Sequence, residues 1–141
     1  MHAFRCEAVI TGDPGAVWRV WTDVARWPEW DDSKELARLD GSFAVGTTGW
    51  AKQRGNLGGP FTITRLDPGC GWTTEAPLPL GKVVFDHRVE PAGSGQVRVV
   101  KTVEVHGGFT TLFRLIVAAK MRRDINRSFA GLERHVKEIY G

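Results

Sequence analysis

The sequence predicts an α+β fold in which an antiparallel sheet packs against one long C-terminal helix. Two observations carry this. From Glu35 to His106 the chain reads as strand-like runs separated by short turns rich in Gly and Pro. Sequential strands joined by short turns pair antiparallel. From Phe109 onward the period changes. Phe109, Phe113, Val117, Met121, Ile125, Phe129, Leu132, Val136 and Ile139 recur at steps of three or four, the stripe of an amphipathic helix. About 30 residues of helix span roughly 45 Å. A stripe that long must lie against the sheet. If the sheet curves strongly, helix and sheet cannot touch everywhere, and a cavity opens between them.

The elements follow in order. Phe4, Cys6, Ala8 and Ile10 alternate with Arg5, Glu7, Val9 and Thr11, a half-buried strand. Asp13-Pro14 then supplies an N-cap and a proline at the first helical position. The helix so opened carries Val17, Trp18, Val20 and Trp21 and is expected to end before Trp27-Pro28, since the residue before proline disfavours the α region. A second short helical turn is expected near Asp23–Trp27. Strands follow at 36–39, 47–53, 61–66, 71–76, 82–90 and 96–106, with 77–81 read as a loop. In the last strand Val97, Val99, Val103 and Val105 share a face with Lys101.

Composition bounds the function. The 141 residues, 42% hydrophobic and 25% charged, suit one soluble domain spanning 1–141. The net charge is +3, and signs are mixed. The densest basic cluster, Lys120, Arg122, Arg123 and Arg127, reads as a solvated helix face rather than a nucleic-acid interface. Two cysteines, Cys6 and Cys70, imply no disulfide framework. No apolar leader and no membrane-length run is evident, so a cytoplasmic setting is expected. Phosphate loops, dinucleotide fingerprints and nucleophile elbows are absent. The four histidines show no metal-ligand spacing. Asp31-Asp32 is a pair of acids able to bind a cation, but adjacent acids in a loop read as facing water.

Four of the six tryptophans lie between Val17 and Asp31. The strand ending at Ile10, then Asp13-Pro14-Gly15-Ala16-Val17-Trp18, then Asp23-x-x-x-Trp27-Pro28-x-Trp30, resembles the START-like superfamily of helix-grip domains (also termed SRPBCC). Phe85-Asp86-His87-Arg88-Val89-Glu90-Pro91 and Arg98 to Val105 are similar to its polyketide cyclase/dehydrase branch. The resemblance covers about Phe4 to Ile139. It implies a curved seven-stranded antiparallel sheet wrapped around the C-terminal helix, two short helices after the first strand, and an apolar pocket. It implies no metal and no organic cofactor. Members that cyclise polyketides take a chain presented by an acyl carrier protein, so such a carrier is a partner the resemblance suggests. The only tyrosine, Tyr140, sits at the C-terminus and does not favour a tyrosine-based mechanism.

Within that frame, His87 shares parity with Phe85 and Val89 and has an ordinary pKa suited to proton transfer. It is either a catalytic group or a core histidine bonded to a neighbour's backbone. Lys101 enters the pocket if its strand keeps register, and there binds an acidic group or polarises a carbonyl. A bulge would leave it in water. Trp30, Trp50, Phe61, Trp72, Phe85 and Phe113 are candidate ligand-binding residues, because aromatics wall pockets as well as fill cores. Trp27 is a further candidate beside Trp30. Arg54 lies in a Gly-rich loop able to act as a lid. The readings that follow are binding of a small hydrophobic, lipid-like or aromatic ligand; a polyketide cyclase or dehydratase using His87 and Lys101; or a protein-interaction module. The protein is expected to be a monomer or homodimer.

Overall fold

The computed structural model describes residues 1–140. The strands are β1 (His2–Thr11), β2 (Lys34–Leu39), β3 (Thr48–Gln53), β4 (Gly59–Asp67), β5 (Gly71–Leu78), β6 (Gly81–Pro91) and β7 (Gln96–Gly107). All pair antiparallel in the order β1-β7-β6-β5-β4-β3-β2. Chain-adjacent hairpins build all of the sheet except its first edge, where β1 adds beside β7. This is the α+β helix-grip arrangement the resemblance implies.

The alternation in β1 holds. Phe4, Cys6 and Ile10 are buried, while Arg5, Glu7 and Val9 face out. Asp13 caps α1 (Pro14–Trp21) by accepting from the Ala16 N–H at 3.2 Å. α1 ends well before Trp27 and the expected short turn follows it, but the segment after that turn departs from expectation. A 3₁₀ turn covers Val24–Arg26, and Trp27-Pro28 opens α2 (Trp27–Trp30) instead of ending a helix. A proline near a helix start gives up an N–H that has no intrahelical partner anyway. Trp27 is held in the helical region by its indole N–H, which donates to the Trp21 carbonyl at 2.9 Å, and by stacking on Phe61.

Residues 77–81, expected as a loop, largely continue the hairpin. Leu78 pairs with Gly81, leaving a tight turn at Pro79-Leu80, with Leu80 at φ 61°. Pro77 lies beyond Glu75, the last β5 residue paired with β4. There the strand is paired on one side only, the place where proline is tolerated.

The C-terminal helix opens as α3 (Thr110–Leu112), widens into a π-helical turn at Phe113–Val117, and continues as α4 (Ala118–Tyr140). The sequence pattern accounts for the π turn. Apolar residues from Phe109 to Phe129 recur every four residues, and each such step drifts about 40° around an α-helix. A wider turn unwinds part of that drift and keeps Val117, Met121 and Ile125 on the side facing the sheet. The stripe ends at Val136, since Ile139 is exposed.

Two register shifts, between Lys34 and Leu36 on β2 and between Ile63 and Arg65 on β4, mark where the sheet bends. Bulges increase local twist and curl a sheet. The core fills the end of the grip near α1. There Trp72 meets Trp18, Trp21 and Phe43 edge-on and stacks on His87.

Candidate functional site

At the other end of the grip the sheet and helix part, leaving a cavity of about 910 Å³. Its walls are largely apolar. Phe61, Ala76, Val83 and Phe85 come from the sheet, Val117, Met121 and Ile125 from the helix, and Trp27 from α2. The mouth is framed by the β3–β4 loop (55–58), the β5–β6 turn and the helix start at Phe109 and Ile116.

A polar patch interrupts these walls. β7 keeps continuous register with both neighbours, so Cys6, Lys101, His87 and Trp72 form one row across β1, β7, β6 and β5. Lys101 therefore faces inward and lines the cavity, as does His87. No carboxylate lies within salt-bridge distance of Lys101 among the described residues; its ammonium sits 5.1 Å from the centre of the Phe85 ring. Burial, reinforced by the positive charge of Lys34, lowers its pKa from 10.5 to about 7. A desolvated ammonium without a counter-ion favours the neutral amine.

His87 is placed differently from what a proton shuttle needs. Its ring stacks on Trp72 with centroids 4.1 Å apart and 4° between planes, and Trp21 meets it edge-on at 5.4 Å. Nδ1 lies 3.3 Å from the Trp72 carbonyl oxygen. Burial first, then the charge of Lys101, holds its pKa well below 6.5. The ring is thus a neutral core imidazole presenting one edge to the cavity.

Lys34 and Asp31 complete the patch, and the sequence did not reveal either. Asp31 is 7% exposed, which corrects the reading of it as a solvated loop acid, whereas Asp32 is exposed as expected. It accepts from the Ser33 N–H at 3.0 Å and from the Ser33 hydroxyl at 2.6 Å, and sits 3.8 Å from Lys34 Nζ. Lys34 also donates to the Gln53 side-chain oxygen at 2.8 Å, with the amide turned to satisfy both its ends. Burial depresses the Lys34 pKa, against the pull of Asp31. The register shift beside Lys34 breaks the alternation of β2, so no period marked this lysine as inward-facing. On α4, Lys120 and Asp124 line the cavity as a pair 2.7 Å apart. Among the described residues, Lys101 is thus the cavity's cation without a carboxylate partner.

Of the aromatic candidates, Phe61 and Phe85 line the cavity; Trp30, Trp50, Trp72 and Phe113 do not. Trp72 is 1% exposed inside the aromatic core. Phe113 is buried on the helix face that meets the sheet. Trp30 packs beneath α4, its backbone carbonyl against Gly131, and the cavity takes Trp27 in its place. Trp50 has the outward parity of β3, opposite to Gly49 and Ala51, and stacks under Arg38. Arg54 donates to the Asp32 carbonyl at 2.6 Å, outside the cavity lining. Among the described residues, no group of three His, Cys, Asp or Glu is placed to hold a metal ion. Among the described residues, no helix is long and apolar enough to cross a membrane.

Solved structures share this fold at low identity. TTHA0849 from Thermus thermophilus superposes with a TM-score of 0.79 at 19% identity, covering 99% of this chain and 100% of that one. A norcoclaurine synthase mutant from Thalictrum flavum, in complex with a transition-state analogue, gives 0.77 at 13% identity over 99% and 96% of the two chains. The di-domain aromatase/cyclase BexL, from the BE-7585A biosynthetic pathway, gives 0.74 at 15% identity over 97% of this chain and 47% of that one. No curated protein sequence matches. The sequence profile for "Polyketide cyclase / dehydrase and lipid transport" matches residues 1–137, and the chain belongs to that family.

Proposed function

We propose that the protein binds a small hydrophobic ligand, aromatic or polyketide-like, in the cavity between sheet and helix, with an acidic or enolisable oxygen of that ligand at Lys101. The observation that carries the reading is one unpaired ammonium on the wall of an apolar cavity of about 910 Å³. Cavities of roughly 300–1,000 Å³ accommodate drug-sized molecules, with few polar groups fixing orientation. An anion placed there supplies the counter-charge that Lys101 lacks. The interaction-module alternative would fit a filled core, and this core is hollow.

The test compares a hydrophobic acid with the alcohol of the same skeleton, by calorimetry and by mass spectrometry of what co-purifies. The acid is expected to bind about tenfold or more tightly than the alcohol, and Lys101→Met to abolish that preference. Binding an anion raises the pKa of Lys101, so the acid's affinity falls with pH above about 7, by up to about tenfold per pH unit. The alcohol's affinity stays flat. Equal binding of both by the wild-type chain would reject the role of Lys101, and binding of neither would reject the cavity as a ligand site.

The pKa of Lys101 favours a second reading, a cyclase or dehydratase. An amine that titrates near 7 is suited to exchange protons with a β-keto substrate at neutral pH. In this reading Lys101 stabilises or protonates the enolate oxygen, and neutral His87 is limited to hydrogen bonding at its cavity edge. An acyl carrier protein would deliver the chain. Turnover of a poly-β-ketone mimic should then fall at least a hundredfold in Lys101→Met and much less in His87→Gln. Equal loss in both variants would reverse the assignment.

A further inference from the structure

We propose that the mouth of the cavity docks on an anionic phospholipid bilayer, with Leu57, Leu80, Leu115 and Ile116 dipping below the headgroups. This goes beyond the ligand-binding reading and does not depend on it. These four side chains are 95%, 85%, 73% and 67% exposed. They come from three separate segments, the β3–β4 loop, the β5–β6 turn and the helix start, which meet around one opening. Leu57 and Ile116 line the same cavity. The Leu80 carbonyl accepts from the Gly108 N–H at 2.9 Å, tying the β5–β6 turn to the helix start. Isolated exposed leucines are ordinary on protein surfaces, but four from three segments that frame one opening call for a partner.

The charges around the rim select that partner. Segments 52–60, 77–82 and 107–123 together hold seven Lys or Arg and no Asp or Glu, and of the seven only Lys52, Lys82 and Lys120 pair with carboxylates from outside them, Glu35, Glu75 and Asp124. Arg54, Arg114 and Arg123 have no carboxylate partner among the described residues. Aliphatic tips beside unpaired basic groups are the composition of a surface that lies in a membrane interface and is drawn to acidic headgroups. A protein partner would have to cover each tip with its own pocket, whereas a fluid acyl layer admits all of them at once. In this orientation the opening faces the bilayer, and an apolar molecule passes between them without crossing water.

The experiment is sedimentation of the full chain with vesicles of phosphatidylcholine alone and of phosphatidylcholine with phosphatidylglycerol. Binding is expected to the mixed vesicles and to be much weaker with phosphatidylcholine alone. Neither Leu80 nor Leu115 lines the cavity, and the positive φ of Leu80 suits aspartate. The double variant Leu80→Asp, Leu115→Asp should lose roughly a hundredfold in vesicle affinity. Arg114→Gln should weaken binding to the mixed vesicles only. Circular dichroism and dye binding in the cavity report whether these variants remain folded. Failure of the wild-type chain to sediment with either vesicle overturns the proposal. So does undiminished binding by the folded double variant, which would mark a purely electrostatic surface of the kind an acidic protein also recognises.

Discussion

A lysine that lines an apolar cavity is costly to keep charged, and Lys101 makes that cost measurable. In the unfolded chain it holds its proton up to about 10.5; in the folded protein, with Lys34, Asp31, Cys6 and His87 as its charged or titratable surroundings, only up to about 7. Between those pH values the unfolded state binds more protons, so the Lys101 contribution to stability rises with pH. Lys101→Met should raise stability at pH 6 by about 1–3 kcal/mol and flatten its pH dependence between 7 and 10.5, as read by urea unfolding. Destabilisation at pH 6 would mean that the ammonium is solvated. Lys101 was legible from strand parity, because β7 has no bulge. Lys34 was not, because β2 has one.

At the scale of elements, α2 and α4 meet at Gly131. A Cβ there would collide with the Trp30 carbonyl oxygen. Gly→Ala inside a helix ordinarily stabilises by about 1 kcal/mol. Here the sign should reverse, with Gly131→Ala costing about 1–3 kcal/mol as α2 is forced away; thermal unfolding distinguishes the two. A similar collision governs β3. A Cβ on Gly49 would strike the Phe61 ring and lie 2.6 Å from the Arg38 carbonyl oxygen, so Gly49→Ala should also destabilise and should move the Phe61 wall of the cavity. Neither contact was readable from the chain. Most helices and strands were, down to the Asp13 cap, because local period and turn chemistry specify them; α2 and the end of β5 were not, because each places a proline where its neighbours, not its own propensity, decide. The π turn was hidden in plain sight as a run of steps of four.

For the whole molecule, the consequence of the grip is a hollow core. Ligand binding to the folded state alone should therefore stabilise strongly, by about 2.7 kcal/mol at a ligand concentration about a hundredfold above Kd, seen as a rise in Tm that scales with concentration. A ligand occupying an exposed surface of the folded and unfolded chain alike would give no such rise. The Trp-rich segment from Val17 to Asp31 takes its meaning at this scale. Trp18 and Trp21 fill the closed end of the grip with Trp72, Trp27 forms part of the wall, and Trp30 anchors α2 beneath α4.

Periodicity, caps and turns were sufficient for the α+β class, the strand succession and the inward face of each regular strand, since these depend on neighbours close along the chain. The placement of side chains around the cavity depends on how far the sheet bends. Two register shifts mark that bend, and each displaces an alternation that runs unbroken in a regular strand. That is why Phe85, His87 and Lys101 were placed on the inward face by parity, and Phe61 by its aromatic character, while Asp31 and Lys34 emerged, and Trp30, Trp50, Trp72 and Phe113 withdrew, only once the sheet had closed on its helix.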